Sequence, residues 1–245
     1  MKIIKSIPIQ KIHAFGETDD LICNFTVEEI KAPTYSIIHT MSRLWLVNSG
    51  CAKVLINNKE YCIKKGDLIS VLPWQITNII EVKSTLQIFV VEYYFDKINE
   101  IIKSVYNTGK TYLSISQSLE KSSLATFDET NYKEVHKIFY QIKECIEKPN
   151  LQISEYSNLY ITNKLVELIL LLLCNIQDTK KKLPDDKSEI LRYMYMHLSE
   201  KITISLLATK FYMSESMVRA YIKKTTGLSF FELLNEMRVG RRVYL

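Results

Sequence analysis

The chain has 245 residues, 47% of them hydrophobic and 24% charged, with few glycines and prolines. That composition excludes a disordered or low-complexity chain, and the length predicts two domains. The formal charge is +5, and its placement says more than its size: from Lys187 to Leu245 ten Lys/Arg stand against five Asp/Glu, while the preceding 186 residues balance at 22 of each. Cations concentrated in the last quarter suit a segment that meets phosphates; on charge alone, a solvated basic surface reads the same. Cys23, Cys51, Cys62, Cys145 and Cys174 are widely spaced and odd in number, which predicts free thiols rather than a disulfide framework or zinc site. Lys2 and Lys5 are followed by no apolar signal core, and the most apolar run, Leu165–Cys174, is far shorter than the roughly 20 residues of a membrane span. A cytoplasmic protein with no membrane partner is expected.

Residues from about 20 to 95 read as strands, in short runs rich in Val, Ile, Tyr and Phe. The clearest are Tyr35–Ile38, Leu44–Val47, Lys53–Ile56, Tyr61–Ile63, Leu68–Leu72 and Leu86–Tyr94. Asn57-Asn58 predicts a hairpin turn, because asparagine tolerates positive φ; Gly50, Gly66-Asp67 and Pro73 mark further turns. Short strands with tight turns predict a small barrel or sandwich. If such a barrel holds a small molecule, the inward wall includes Tyr35, Ile37, His39, Trp45 and Trp74, an aromatic and apolar lining suited to an apolar or ring-shaped effector. The same residues could equally fill the interior themselves.

From about Asn131 the period becomes helical, with Val135, Ile138, Phe139, Ile142 and Ile146 on one stripe. A second helix is predicted from Glu155 to Gln177. It is apolar on more than one face and so needs two surfaces to pack against. The barrel supplies one, and a homodimer is expected to supply the other, with Leu165, Leu168, Ile169 and Leu172 as dimerisation residues; the alternative is a central core helix of a monomer. The run DTKKKLPDDK, residues 178–187, is charged and holds a proline, and reads as a linker. Domain limits of 1–177 and 188–245 follow.

The segment 188–245 reads as four helices. Ser188 can cap the first, with Ile190, Leu191, Met194 and Leu198 inward, and Thr203 can cap a short second helix carrying Ile204, Leu207 and Ala208. After a turn at Phe211-Tyr212-Met213, Ser214 caps a third helix that Gly227 stops. Its Val218, Tyr221, Ile222 and Thr225 share one face. The opposite face carries Ser214, Glu215, Ser216, Arg219, Ala220 and Lys223, with Lys224 beside them. Short polar residues near the N-terminus followed by cations are the layout of a helix that enters the major groove of double-stranded DNA. Arg219 can pair with guanine or phosphate, and Lys223 and Lys224 suit phosphate. Ser229 and Glu232 form a capping box for a fourth helix, which packs through Phe230, Leu233, Leu234 and Met237.

These spacings resemble the first helix-turn-helix of the AraC/XylS family of transcription regulators. The matching residues are Thr203-Ile204, Leu207-Ala208, Ser214, Val218-Arg219, Ile222-Lys223, Gly227, Ser229-Phe230 and Arg238. The resemblance implies an α+β chain, a cupin-like β-barrel with helices followed by an α-helical helix-turn-helix domain. Gly50, Tyr61, Lys65-Gly66-Asp67 and Pro73 stand where such a barrel has its turns. It also implies a sequence-specific regulator bound to double-stranded DNA, controlled by a small-molecule effector and able to meet RNA polymerase. The family carries two helix-turn-helix units. Here the sequence stops at Leu245 within the expected connecting helix, and Arg242 replaces a usual small residue. A chain lacking the second unit is therefore expected, with a non-DNA-binding protein that forms inactive dimers with a full-length regulator as the alternative. His13, His39, His136 and His197 offer no clustered ligand set, and no GxSxG, P-loop, GxGxxG or HExxH motif occurs. No enzyme, cofactor or metal is expected.

Overall fold

The computed structural model describes residues 7–10, 23–106, 118–119, 122–147, 156–176, 187 and 189–242. The strands are β1 (Ile9–Gln10), β2 (Cys23–Ile30), β3 (Ile37–His39), β4 (Ser42–Ile56), β5 (Lys59–Lys64), β6 (Asp67–Val71), β7 (Ile76–Tyr93) and β8 (Leu124–Thr126). The helices are α1 (Phe95–Tyr106), α2 (Glu129–Glu147), α3 (Ser157–Cys174), α4 (Glu189–Met196), α5 (Ile204–Lys210), α6 (Glu215–Thr226) and α7 (Phe230–Arg242). The predicted linker lies outside the described residues except for Lys187, as do the Ser188 cap and Gln177.

All eight strands form one sheet in the order β1-β3-β7-β4-β6-β8, with β2 also on β7 and β5 also on β4. Runs expected as separate strands merge: Leu44–Val47 and Lys53–Ile56 both belong to β4, and β7 begins ten residues before Leu86. The long β4–β7 ladder bends through register shifts between Val47 and Val54. At Gly50 (φ +87°) a Cβ would stand 2.1 Å from the Thr85 carbonyl oxygen, so the two strands can approach this closely only with glycine. Asn57 and Asn58 both have positive φ in the β4–β5 hairpin.

The curled sheet buries both faces, which makes a cupin-like barrel with helices packed outside. On β4, Trp45 and Val47 point into the barrel with Val54, Ile63, Ile69, Ile88 and Val90. The alternate residues Leu44 and Leu46 point outward and lie under α1, α2 and α3, against Phe95, Ile98, Phe139, Leu165 and Leu168. This alternation explains why Leu44–Val47 is apolar throughout.

α3 spans 18 residues at a mean hydropathy of 1.4 and is the described helix long and apolar enough, by length and composition, to cross a membrane. It is longer than the run considered in the sequence, but one side of it is core. Leu165, Leu168, Ile169 and Leu172 are at most 2% exposed. The side chains expected at a dimer contact therefore pack inside the protomer, in correction of that expectation. The sheet and outer helices are the nearest apolar surface and take the most continuous apolar stripe.

A third cluster joins α4–α7 to one end of the barrel. Ile190, Leu191, Met194, Leu207, Val218, Ile222, Leu233 and Met237 pack with Ile38 and Trp74 of the barrel. Arg192, 1% exposed, lies with its guanidinium 5.3 Å from the Phe95 ring and donates to the Pro73 carbonyl. The Tyr195 hydroxyl donates to Asp96 at 2.6 Å, and the Ile7 amide donates to the Thr225 carbonyl at 2.8 Å.

Candidate nucleic-acid interface

Local chemistry sets the ends of α5 and α6. Thr203 is extended and its hydroxyl accepts from the Leu206 amide, one of the orphan donors at a helix start. α5 ends at Lys210. Tyr212 takes a left-handed turn (φ +51°), and the Met213 amide returns to the Ala208 carbonyl. Ser214 then caps α6 by accepting from the Met217 amide at 3.2 Å, and its Oγ lies 2.9 Å from Ser216 Oγ. Gly227 (φ +77°) closes α6 with its amide on the Lys223 carbonyl. In α7 the Ser229 amide donates to Glu232 and the Glu232 amide to Ser229 Oγ, a reciprocal capping box. Those bonds hold the Glu232 carboxyl below the usual carboxylate range.

The two sides of α6 differ sharply. Val218, Ile222, Thr225 and Thr226 are buried, and Tyr221 is half-buried rather than inside. Glu215, Ser216, Met217, Arg219, Ala220, Lys223 and Lys224 are exposed. Ser214, at the cap, is exposed as well. All the residues singled out on this helix are thus open to solvent, and Met217, not named from the sequence, joins them. Arg219 and Glu215, one turn apart, form an ion pair at 3.5 Å. Lys223 Nζ donates to the Gly227 carbonyl at 2.7 Å, which directs that cation to the helix C-terminus. A helix with a capped N-terminus, short polar residues in its first turn and cations beyond can present base-edge donors and neutralise phosphates.

The five residues expected to line a barrel pocket do not share one wall, although His39 meets both Trp45 and Trp74. Tyr35 is 89% exposed, since residues 31–36 form a loop and the strand begins only at Ile37. With no pleat there, alternate residues do not point inward, and Tyr35 stands outside the interior wall. Ile37 is half-buried. Trp74 belongs to the cluster between the barrel and the helical unit. Trp45 is inside the barrel, edge-on to His39 with ring centres 6.2 Å apart, and its buried indole N–H has no hydrogen-bond partner. His39 Nδ1 lies 2.8 Å from Gln10 Oε1 and Nε2 lies 2.6 Å from Thr77 Oγ1. Burial, then the charge of Arg43, holds its pKa well below the usual imidazole range. Among the described residues no three His, Cys, Asp or Glu side chains gather as a set for a metal ion.

The outer side of α3 had no residues assigned from the sequence. Leu159, Asn163 and Leu170 are exposed there and Val166 and Leu173 are half-buried, at alternating spacings of four and three. Val166, Leu170, Leu171 and Cys174 line a shallow apolar groove with Asn163 and Glu167 at its rim.

No known protein-family profile matches the chain, and no curated protein matches it. Solved structures similar to it include apo ToxT from Vibrio cholerae, at 12% identity over 91% of this chain and 82% of that one, TM-score 0.43. The AraC-like transcriptional activator CuxR is similar at 11% identity over 83% of this chain and 66% of that one, TM-score 0.44. A cupin protein from Bacteroides fragilis is similar over 31% of this chain and 68% of its own, at 12% identity and TM-score 0.29.

Proposed function

We propose that the chain is a sequence-specific DNA-binding transcription regulator of AraC type, a binding protein rather than an enzyme, acting in the cytoplasm. The observation that carries this reading is the α5-turn-α6 unit. Its inner side is anchored on α4 and α7, and its outer side is an open polar and cationic face. In this reading α6 enters the major groove, Ser214, Ser216, Arg219 and Ala220 face bases, and Lys223 and Lys224 meet phosphates. A small-molecule effector is part of the same reading; the buried indole N–H of Trp45, which has no hydrogen-bond partner, is a donor inside the barrel that such a molecule could meet.

Pairing of two copies would place two such helices on two half-sites. The outer side of α3 supports a homodimer seam centred on the exposed Leu159 and Leu170, with Asn163 in line between them and Val166 and Leu173, half-buried against the protomer's own core, along its edge; with Asn163 the five alternate at spacings of four and three, the period of a helix pair. The test is a gel-shift series with the DNA upstream of the chain's own coding sequence, at falling salt. Saturable binding that resists unrelated competitor DNA is expected. Absence of binding at every salt concentration contradicts the proposal.

A further inference from the structure

We infer that Glu215 and Arg219 work as one reading unit that selects a G·C base pair, an inference that rests on α6 being the major-groove helix. Glu215 is in the first turn of α6 and Arg219 is one turn on, so both lie on the same exposed stripe. Their side chains are 53% and 57% exposed, and Glu215 Oε2 lies 3.5 Å from Arg219 Nη2. A carboxylate on a helix that approaches DNA is repelled by every phosphate, so it is favourable only opposite a hydrogen-bond donor. The donors on major-groove base edges are cytosine N4 and adenine N6. Adenine N6 sits beside the acceptor N7, which repels a carboxylate, whereas cytosine N4 has no such neighbour. Arginine has only donors and pairs with guanine O6 and N7.

Spacing joins the two contacts on one base pair. Guanine O6 and cytosine N4 are hydrogen-bonded to each other and so stand about 3 Å apart. The donor and acceptor ends of the Glu215–Arg219 pair are separated by nearly the same distance. A G·C pair then pairs two guanidinium nitrogens of Arg219 with guanine O6 and N7, and one oxygen of Glu215 with cytosine N4. With adenine in guanine's place, Arg219 keeps N7 but meets the N6 donor, and thymine O4 is set against Glu215; with thymine there, Arg219 meets O4 beside a methyl group, and adenine N7 stands next to the N6 donor that Glu215 would use. Ser216 and Ala220, short and exposed on the same face, leave the approach open.

The test is selection from a randomised duplex DNA library by the full chain and its Glu215→Ala, Glu215→Gln, Arg219→Ala and Arg219→Lys variants, each checked for folding by circular dichroism. The wild type is expected to enrich sites with a fixed G·C pair. Glu215→Ala and Arg219→Ala should each relax that same position, by roughly 10- to 100-fold in preference. Arg219→Lys should relax it in part. Glu215→Gln should shift the position toward A·T, because glutamine pairs with adenine N6 and N7. Wild-type enrichment left unchanged by both Glu215 variants, or relaxation by Glu215 and Arg219 variants at different positions, overturns this inference alone. No enrichment by the wild type overturns it together with the DNA-binding reading.

Discussion

Replacing Leu168 and Leu170, two residues apart on α3, should produce opposite failures. Leu168 is fully buried among the barrel and the outer helices, and Leu170 is 40% exposed on the far side. Truncating Leu168 to Ala removes buried methyl groups and leaves a cavity, a loss of about 2–5 kcal/mol, comparable to a large part of a domain's total stability. Leu170→Glu puts a charge where the isolated protomer already meets water, so its unfolding free energy should change by about 1 kcal/mol or less. In a dimer the same change sets a carboxylate into an apolar seam twice over. A penalty of about 3 kcal/mol there raises the dissociation constant by more than 100-fold. Urea unfolding and sedimentation equilibrium on the same samples separate the two effects. The expected result is a destabilised protein that still pairs for Leu168→Ala, and a stable monomer for Leu170→Glu. A Leu170→Glu protein with wild-type mass, or a wild type that is monomeric at every concentration, refutes the seam. A Leu168→Ala protein of unchanged stability refutes the packing described for α3.

Thr203→Ala removes the cap of α5 and should lower stability by about 0.5–2 kcal/mol by urea titration, with no change in the circular dichroism of the folded state. Lys224→Ala should weaken DNA binding about equally for all sequences and make the slope of log K against log salt shallower by about 1. His39, whose folded pKa lies well below its ordinary value, binds a proton in the unfolded chain below about pH 6.5 but not in the folded one. Its contribution is therefore complete above that pH and is lost as pH falls toward the folded pKa, at up to about 1.4 kcal/mol per pH unit. Melting temperature should fall from about pH 7 to about pH 5, and His39→Gln should flatten that slope. Equal slopes for both proteins would exclude His39 as the cause.

The helical unit was legible because its signals are local. A Thr203 or Ser214 hydroxyl acts within three residues, Gly227 acts on its own φ, and Ser229 and Glu232 answer each other across one turn. The barrel was legible as strands but not in their lengths, because β4 and β7 run on through bulges and a close approach at Gly50 that leave no break in the pattern to read. α1 was not anticipated; it starts at Phe95, two residues after β7 ends, with no turn signal between them. The apolar character of α3 was evident, but a helix apolar on two sides does not say which side meets the core. Trp74 looked like barrel lining, and only the packing of α4–α7 on the barrel end makes it, with Ile38, part of a shared cluster. That contact joins segments more than a hundred residues apart, beyond the reach of any periodicity.

The central claim is that the open face of α6 reads DNA. Fluorescence anisotropy of labelled duplex DNA from upstream of the coding sequence, titrated with the full chain at several salt concentrations down to about 50 mM, tests it most directly. The account predicts saturable binding that weakens linearly in log salt, and loss of discrimination against unrelated duplex for Arg219→Ala. Binding absent at the lowest salt, or equal discrimination by wild type and Arg219→Ala, contradicts it.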